Sequence, residues 1–412
     1  MRVVCTGMSG TDRLSYVREV AALARQHGHE VAVFDVKEIM FQIAADRGQP
    51  VEEETILDAA GSTLEALRAA ALEHVLRLAD TTPHFILATH ALFRWRNALI
   101  PGFDVHYLSQ IQPDLYVTIS DTITAIKGQL DRQARWRHYS YNDLLIWRDE
   151  ETFVTEMMAS FQRKRHYLIA RDQPPDTLYR LMFRPEAKTV YRSYPITHIV
   201  DQPGLLAECD ALGAQLDEHF VVFDPMAIKD LQALDRASPP SHRDSPSLLP
   251  QGRMERGPGG KSGHAVSSGP LAAVRRTDGT NVAVAAAPGG VVSPSPRGEG
   301  EAVLADRSAA EVTFNPAEMQ YMDDQTVARD YKLIKQSDLV VVYYPTTVLS
   351  AGVICEMIYA VTNGKQVFAV WLPPTDPSPF FSYYCTEPVF RSVDALFAYF
   401  DRAGLAGDPA RD

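Results

Sequence analysis

The stretch from Ser337 to Val370, SDLVVVYYPTTVLSAGVICEMIYAVTNGKQVFAV, constrains the fold most, because two apolar runs flank a helix-forming run. Leu339–Tyr344 is rich in β-branched and aromatic residues, which predicts a strand buried on both faces of a parallel sheet. The residues from Ser350 to about Thr362 predict a helix, which Asn363-Gly364 ends. Gln366–Trp371 predicts the next buried strand. The order strand, loop, helix, strand is typical of an open α/β sheet.

Glu356 is an acidic residue in the first turns of this apolar helix, just beyond the carboxyl end of the preceding strand. Open parallel sheets bind their ligands at this edge. The helix dipole favours an ionised carboxylate there, and a partly desolvated carboxylate can act as a nucleophile. Its position alone leaves open a second interpretation, in which Glu356 only caps its helix or pairs with a lysine.

Several motifs accompany Glu356: Asp330-Tyr-Lys-Leu-Ile-Lys-Gln-Ser-Asp338, LVVVYYP, Ser350-Ala-Gly352-x-x-x-Glu356, Tyr359-Ala360, Gly364-Lys365 and, upstream, Val190-Tyr191-Arg-Ser-Tyr-Pro195. Together they resemble the nucleoside 2-deoxyribosyltransferase superfamily, which includes the nucleoside 5′-monophosphate N-glycosidases. The resemblance covers Thr189 to about Asp235 and Glu318 to about Phe400. It implies an enzyme that cleaves or exchanges the N-glycosidic bond of a (deoxy)nucleoside or its 5′-monophosphate.

The resemblance also implies roles for particular residues. Glu356 would be the nucleophile and Asp330 would protonate or orient the leaving base, which parallels the two carboxylates of glycosidases. The implied substrate-binding residues are Tyr191, Arg192, Ser350 and Gly352. A serine at 350 favours a 5′-phosphate, because the nucleoside transferases carry an acid there, although a serine is also an ordinary N-cap. Thr197 stands where the hydrolases place an arginine, and Arg192 and His198 are the candidates to replace it.

Residues 1–170 predict a first α/β domain. Arg2–Thr6 predicts a strand, Gly7-Met-Ser-Gly10-Thr-Asp-Arg13 a glycine turn, and Leu14–Gln26 a helix. This layout is typical of loops that bind phosphate with backbone amides. The motifs Ala88-Thr-His90-Ala, Ile100-Pro-Gly102 and Gln112-Pro-Asp-Leu115, with Arg132 and Arg135 beyond, resemble archaeal-type adenylate kinases and related nucleoside-monophosphate kinases.

The glycine turn departs from the P-loop pattern. Asp12 and Leu14 fall where that pattern has its second glycine and its Ser/Thr, and Ala88 replaces an acid of the kinase family. Aspartate repels phosphate, and leucine cannot hold Mg²⁺. We therefore expect a kinase-like fold that has lost phosphoryl transfer. The candidate nucleotide-binding residues are Gly7, Gly10, Arg13, Arg132 and Arg135. A purely structural or dimerising domain, a non-catalytic nucleotide sensor and an active kinase are the alternatives.

The segment 237–314 is rich in Pro, Gly and Ser without sustained periodicity, which predicts a disordered insertion. It interrupts the second domain, predicted over 188–236 and 315–402, and residues 171–187 are predicted to link the domains. The predicted architecture is therefore α/β, with two doubly wound parallel-sheet domains, the second of them interrupted by this insertion.

The composition narrows the function classes. A net charge of −12 argues against nucleic-acid binding, and no apolar run is long enough to span a bilayer. The cysteines are far apart and lack CxxC pairing, which predicts a reducing compartment and no metal site: Cys5, Cys209, Cys355 and Cys385. We expect a cytoplasmic protein without a signal peptide, because its first residues already predict a strand. We expect no cofactor, and the family resemblance implies a homo-oligomer.

Overall fold

The computed structural model describes residues 1–96, 98–228, 230 and 314–406. Apart from Phe314, the insertion predicted over 237–314 lies outside the described residues. The described chain is mixed α/β with two parallel sheets flanked by helices, so the predicted fold class is confirmed.

The first sheet is formed by five parallel strands of the amino-terminal half, in the spatial order β2-β3-β1-β6-β7. These strands and a small antiparallel hairpin, β4-β5, are β1 (Arg2–Thr6), β2 (Ala32–Asp35), β3 (Phe85–Ala88), β4 (Leu92–Trp95), β5 (Ala98–Pro101), β6 (Leu115–Ser120) and β7 (Arg165–Ala170). The helices of this half are α1 (Arg13–Gln26), α2 (Val36–Asp46), α3 (Gly61–Ala79), α4 (Val105–Ile111), α5 (Ile123–Leu130), α6 (Tyr141–Phe161) and α7 (Pro175–Phe183).

The second sheet has four parallel strands in the order β11-β10-β8-β9. They are β8 (Thr189–Ser193), β9 (Val221–Phe223), β10 (Leu339–Tyr344) and β11 (Gln366–Trp371). The helices are α8 (Ile196–Ile199), α9 (Pro203–His219), α10 (Pro316–Gln336), α11 (Ala351–Thr362), α12 (Pro379–Tyr383) and α13 (Val393–Ala403).

The central strands are buried along their length because helices cover both faces of each sheet. Every residue of β3, β6, β8 and β10 is buried, which matches their continuous runs of β-branched and aromatic residues. In each sheet the chain reverses its winding direction next to the strand that comes first, β1 or β8. The carboxyl ends of strands at such a reversal form the ligand-binding edge of open sheets.

The stretch Thr55–Leu78 favours a helix in sequence but does not form one continuous helix. Ile56–Asp58 forms one 3-10 turn, Ala59 and Ala60 are extended, and α3 begins at Gly61. The turn is fixed by tertiary contacts, because the indole Nε1 of Trp95 donates a 2.8 Å hydrogen bond to Asp58. The helix-favouring composition of this stretch is therefore overridden locally.

The two sheets share one hydrophobic cluster. Tyr167 of β7 stacks on Phe223 of β9, with ring centroids 5.8 Å apart. The side chain of Gln336, at the end of α10, accepts from the Leu168 amide at 2.9 Å and donates to the Leu168 carbonyl at 3.0 Å, which satisfies the outer edge of β7. The predicted linker, residues 171–187, contains α7, which buries Leu178, Tyr179 and Met182 in the shared cluster.

In the part of the chain that the structure describes, no helix is both long and apolar enough to cross a membrane.

Candidate functional site

The loop between β10 and α11 is fixed by its own side chains. The Tyr344 hydroxyl donates to the Val348 carbonyl at 2.8 Å and accepts from the Ser350 amide at 2.6 Å. Ser350 caps α11, since its hydroxyl oxygen accepts from the Val353 amide at 3.4 Å. The alternative role of Ser350 as an N-cap is therefore observed.

Glu356 is held at the edge of the second sheet by a serine on the first strand of that sheet. The Ser193 hydroxyl donates a 2.5 Å hydrogen bond to Oε2 of Glu356. Ser193 is fully buried, whereas Glu356 is half-buried one turn into α11. One carboxylate oxygen is therefore fixed by a buried donor while the side chain keeps contact with the protein surface.

Tyr191 lies beside both candidate carboxylates. Its side chain is fully buried, and burial, followed by the negative charges of Glu356 and Asp330, raises its pKa well above the ordinary value of a tyrosine. The phenol is therefore protonated and neutral near neutral pH. Three separate stretches, β8, α10 and α11, accordingly bring Tyr191, Asp330 and Glu356 to one place.

Asp330 also borders a buried group of charges. Arg148 of α6 forms an ion pair of 2.8 Å with Asp230, and Arg329 of α10 approaches the same carboxylate at 3.9 Å. Burial, followed by the charge of Arg148, lowers the pKa of Arg329, while Asp230 and Asp330 act in the opposite direction. These acidic and basic groups alternate, which keeps a desolvated cluster close to electrical balance.

Arg192 is not brought to this cluster. Side chains alternate across a strand, so Arg192 projects from β8 on the face opposite Tyr191 and Ser193. Its guanidinium is buried, forms an ion pair with Asp224 and donates to the Cys209 carbonyl at 2.5 Å. The geometry assigns Arg192 to the core, which leaves it no part in holding a substrate phosphate beside Glu356.

Gly352 leaves space at the beginning of α11. A β-carbon built on it would meet only the Ser350 hydroxyl oxygen, at 3.8 Å, so packing does not require glycine at this position. The effect of the missing side chain is to leave the first turn of the helix open to an anion.

Sequence reasoning missed Ser193. The strand alternation contained the necessary information, because Ser193 stands two residues after Tyr191 and must share its face. Among the described residues, no group of three His, Cys, Asp or Glu side chains is arranged to hold a metal ion.

The amino-terminal half contains a separate cavity of about 570 Å³. Of the predicted nucleotide-binding residues, Gly10, Arg13, Arg132 and Arg135 line it, whereas Gly7 does not. The cavity has an apolar part formed by Met40, Ile56, Leu57, Leu64, Phe93 and Trp136. Glu356 is not part of this lining, so the two candidate sites are distinct.

Cationic side chains outnumber anionic ones around the cavity. Arg13, Lys37, Arg68, Arg132 and Arg135 face Asp12, Asp35 and Glu53. Glu53 forms ion pairs with Lys37 and Arg135, and Asp12 forms one with Arg171. The excess positive charge and the apolar wall together fit an anion that carries an apolar or aromatic group.

The backbone of the glycine turn is fixed by two left-handed residues and by the packing of Gly7. Gly10 and Asp12 both have left-handed backbones, with φ of 93° and 50°. A left-handed backbone is the usual reason for glycine, so the aspartate occupies a glycine conformation. A β-carbon on Gly7 would lie 2.7 Å from the Thr11 hydroxyl and 2.9 Å from the Ile119 carbonyl, so this position requires glycine.

A buried carboxylate lies beneath the glycine turn. Glu151 of α6 accepts backbone hydrogen bonds from Gly7 at 3.0 Å, Ala91 at 2.8 Å and Leu92 at 3.0 Å. Its side chain is fully buried, and burial raises its pKa to about 7. The Gly7 amide is therefore committed to Glu151, which explains why Gly7 contributes to the loop shape and not to the cavity.

A comparison with models of known protein families finds no match, and a comparison with curated protein sequences finds none either. The two family resemblances therefore depend on the motifs quoted above.

Proposed function

We propose that the protein breaks the N-glycosidic bond of a (deoxy)nucleoside 5′-monophosphate or nucleoside at Glu356, and passes the sugar to water or to a second base. The observation that carries this proposal is the 2.5 Å hydrogen bond from Ser193 to Glu356. It orients one carboxylate at the ligand-binding edge of a parallel sheet, with Tyr191 and Asp330 close by.

The chemistry requires two functions. Cleavage develops positive charge on the sugar, which an oriented carboxylate stabilises or traps, and the leaving base must be protonated or oriented. We assign the first role to Glu356. We assign the second to Asp330, which is 6% exposed and shares the Tyr191 environment. Neutral Tyr191 would shield both carboxylates from water.

The open first turn of α11 favours a 5′-phosphate. Ser350 and the helix N-terminus offer donors to an anion, and Gly352 places no side chain in the way. Because Arg192 is engaged with Asp224, the phosphate would be bound by this helix terminus without that arginine.

The decisive experiment is chromatographic detection of free base from a panel of nucleosides and nucleotides. We expect release from at least one 5′-monophosphate, and a loss of at least about 1,000-fold in Glu356→Gln with unchanged folding. Glu186→Gln, an exposed glutamate before β8, is the matched control and should keep full activity. Release that survives in Glu356→Gln would exclude Glu356 as the nucleophile.

A second candidate function is nucleotide binding without phosphoryl transfer in the amino-terminal cavity. The cationic lining and the left-handed glycine turn favour it. The carboxylates Asp12 and Glu53 are paired with basic side chains, and Leu14 replaces a Mg²⁺-binding hydroxyl, so we propose that binding is independent of metal.

Calorimetry tests this candidate with nucleoside mono- and triphosphates in Mg²⁺ and in EDTA. We expect equal affinity in both buffers and at least about 10-fold weaker binding in Arg132→Ala or Arg135→Ala. Arg96→Ala is the matched control, because Arg96 lies outside the cavity and is 72% exposed. Transfer of phosphate from ATP that requires Arg13 would instead favour an active kinase.

A further inference from the structure

Arg68 of α3 is a buried arginine that lines the amino-terminal cavity. It is 8% exposed, and within the described chain its side chain forms no hydrogen bond and no ion pair. Burial lowers its pKa, while the more distant negative charges of Asp104 and Glu65 act in the opposite direction. A guanidinium can only donate hydrogen bonds, so a buried one without acceptors is unfavourable until a ligand supplies them.

Other basic groups of the cavity already have acceptors in the protein. Glu53 forms ion pairs with Lys37 and Arg135. Arg13 donates to the Gly7 carbonyl at 3.2 Å. Arg68 differs from these side chains because its donors face the cavity without an acceptor among the described residues.

Arg68 and the glycine turn lie toward different sides of the cavity. The first sheet has the order β2-β3-β1-β6-β7, and α3 packs against α2, the helix that follows β2. The glycine turn follows β1, and Arg132 comes after α5, the helix that follows β6. The cavity therefore extends from Arg68, Met40 and Leu64 on the β2 side to the glycine turn and Arg132. Its volume of about 570 Å³ is in the range of small-molecule sites.

We propose that Arg68 binds the base of a nucleotide in this cavity and selects 6-oxopurines, such as guanine and hypoxanthine, over adenine. This inference rests on the second candidate function above. The phosphate would lie at the glycine turn and Arg132, and the apolar wall beside Arg68 would bury the base. The O6 and N7 atoms of a 6-oxopurine accept a pair of hydrogen bonds from one guanidinium, whereas adenine presents an amino donor in place of O6.

A neutral base fits the surroundings of Arg68 better than a phosphate does. Met40 and Leu64 line the same side of the cavity, and an anion placed there would lose its hydration against apolar groups. Asp104 and Glu65 already act on the charge of Arg68 and would repel an anion. The glycine turn and the exposed Arg132 offer a phosphate a more hydrated position.

The test is calorimetric titration of the full chain with GMP, IMP and AMP. It uses the Glu356→Gln chain, so that the nucleotides stay intact, and follows the binding step that Arg132→Ala weakens, which separates the cavity from the site at Glu356. We expect GMP and IMP to bind about 10- to 100-fold more tightly than AMP. 7-Deaza-GMP, which lacks the N7 acceptor, should bind more weakly than GMP.

Arg68→Met removes the donors and keeps an unbranched apolar side chain. It should reduce the affinity for GMP and IMP to that for AMP and leave AMP within about 2-fold of the parent. Because the substitution removes a buried charge without a partner, the thermal midpoint of the unliganded chain should not fall. Arg77→Met is the matched control on the same helix, since Arg77 is 61% exposed and pairs with Glu73, and it should keep the base preference.

Arg68→Lys separates base recognition from charge. Lysine keeps the positive charge but loses the planar fork, so the preference for GMP over AMP should fall at least about 10-fold. Arg68 would instead hold a phosphate if Arg68→Met weakened all three nucleotides equally and Arg68→Lys restored them, and that result would overturn the inference.

Two further results would also overturn the inference, and they are distinguishable. Nucleotides that bind with a base preference that survives in Arg68→Met would leave the second candidate function standing and exclude Arg68 as the selecting residue. A full chain that binds none of the nucleotides would remove that function itself, and the inference with it.

Discussion

Glu151 and Glu356 are two carboxylates beside the ligand-binding edges of two parallel sheets, and their surroundings are opposite. Glu151 accepts three backbone hydrogen bonds beneath the glycine turn after β1 and is fully buried. Glu356 accepts a hydrogen bond from the side chain of Ser193 and is half-buried. The position of an acid near a sheet edge therefore does not decide its role. The two acids differ in the donors that hold them, which are backbone amides for Glu151 and a side-chain hydroxyl for Glu356.

The comparison extends to the two glycine-containing turns. Gly7 is required by packing, and its amide donates to Glu151, so this amide does not face the cavity. Gly352 is not required by packing and leaves the N-terminus of α11 open. The first sheet has a fully buried acid and a cationic cavity at its carboxyl edge, whereas the second sheet has a half-buried acid there, for which we propose a catalytic role.

Glu151→Ala should produce the largest effect on stability. It leaves three buried amides without acceptors, at about 1–3 kcal/mol each before relaxation, so we expect a loss of about 3–5 kcal/mol in unfolding free energy. Urea unfolding at pH 6 measures it. Glu150→Ala, one residue earlier and partly exposed, is the control and should cost less than about 1 kcal/mol. A small loss in Glu151→Ala would mean that water replaces the carboxylate.

The pH dependence of stability should reveal Glu151 next. Its pKa is raised from 4.5 unfolded to about 7 folded. The folded state then binds the extra proton between these values, so the contribution of Glu151 to stability falls by about 3 kcal/mol as pH rises through this window. The lowered pKa values of the partly exposed His90 and His166 change stability in the opposite direction below pH 6.5, so the measurement is the difference in unfolding free energy between parent and Glu151→Gln. The difference in unfolding free energy between the two proteins should become smaller as the pH rises toward 7. A difference that stays constant with pH would contradict the raised pKa of Glu151.

Ser193→Ala should reduce base release by about 10- to 100-fold, because a hydrogen bond to a charged group contributes about 1.5–3 kcal/mol. Losing that donor disfavours the ionised form of Glu356, so the acid limb of the pH–rate profile should move to higher pH. Ser193→Thr keeps the hydroxyl and serves as the control. An unchanged acid limb in Ser193→Ala would show that the serine does not act through Glu356.

Gly352→Ala should have the smallest effect and should separate binding from stability. Alanine replaces glycine in the first turn of α11 with only a 3.8 Å contact, so unfolding free energy should rise by up to about 1 kcal/mol. The added methyl narrows the open helix terminus, so KM for a 5′-monophosphate should rise a few-fold while KM for the free nucleoside stays constant. Equal changes in KM for both substrates would show that the phosphate is not bound at this helix terminus.

Much of the fold can be predicted from local sequence where strands are buried on both faces. The observed β10 and β11 coincide with the predicted runs Leu339–Tyr344 and Gln366–Trp371. Strand β7 escaped prediction because it begins with the polar pair Arg165-His166. Its burial depends on Gln336 and Phe223, which the chain supplies from distant positions.

The two acids of the candidate site, Glu356 and Asp330, could be predicted from the sequence. The residue that holds Glu356 in place, Ser193, was not predicted. The helix after a buried strand pointed to Glu356, and the family motif pointed to Asp330. Arg192 was a prediction that strand register argues against, because only alternate residues of β8 face Glu356. Lys37 and Arg68 line the amino-terminal cavity because of the tertiary packing of α2 and α3, which no local sequence pattern predicts.

The stacking of Tyr167 on Phe223, together with the two hydrogen bonds between Gln336 and Leu168, has a practical consequence. A fragment cut after β7 would expose an unsatisfied strand edge and an apolar surface to water, which invites aggregation. Neither half should therefore be obtainable as an autonomous module. A substitution at the carboxyl edge of either sheet must therefore preserve the hydrophobic cluster that the two sheets share.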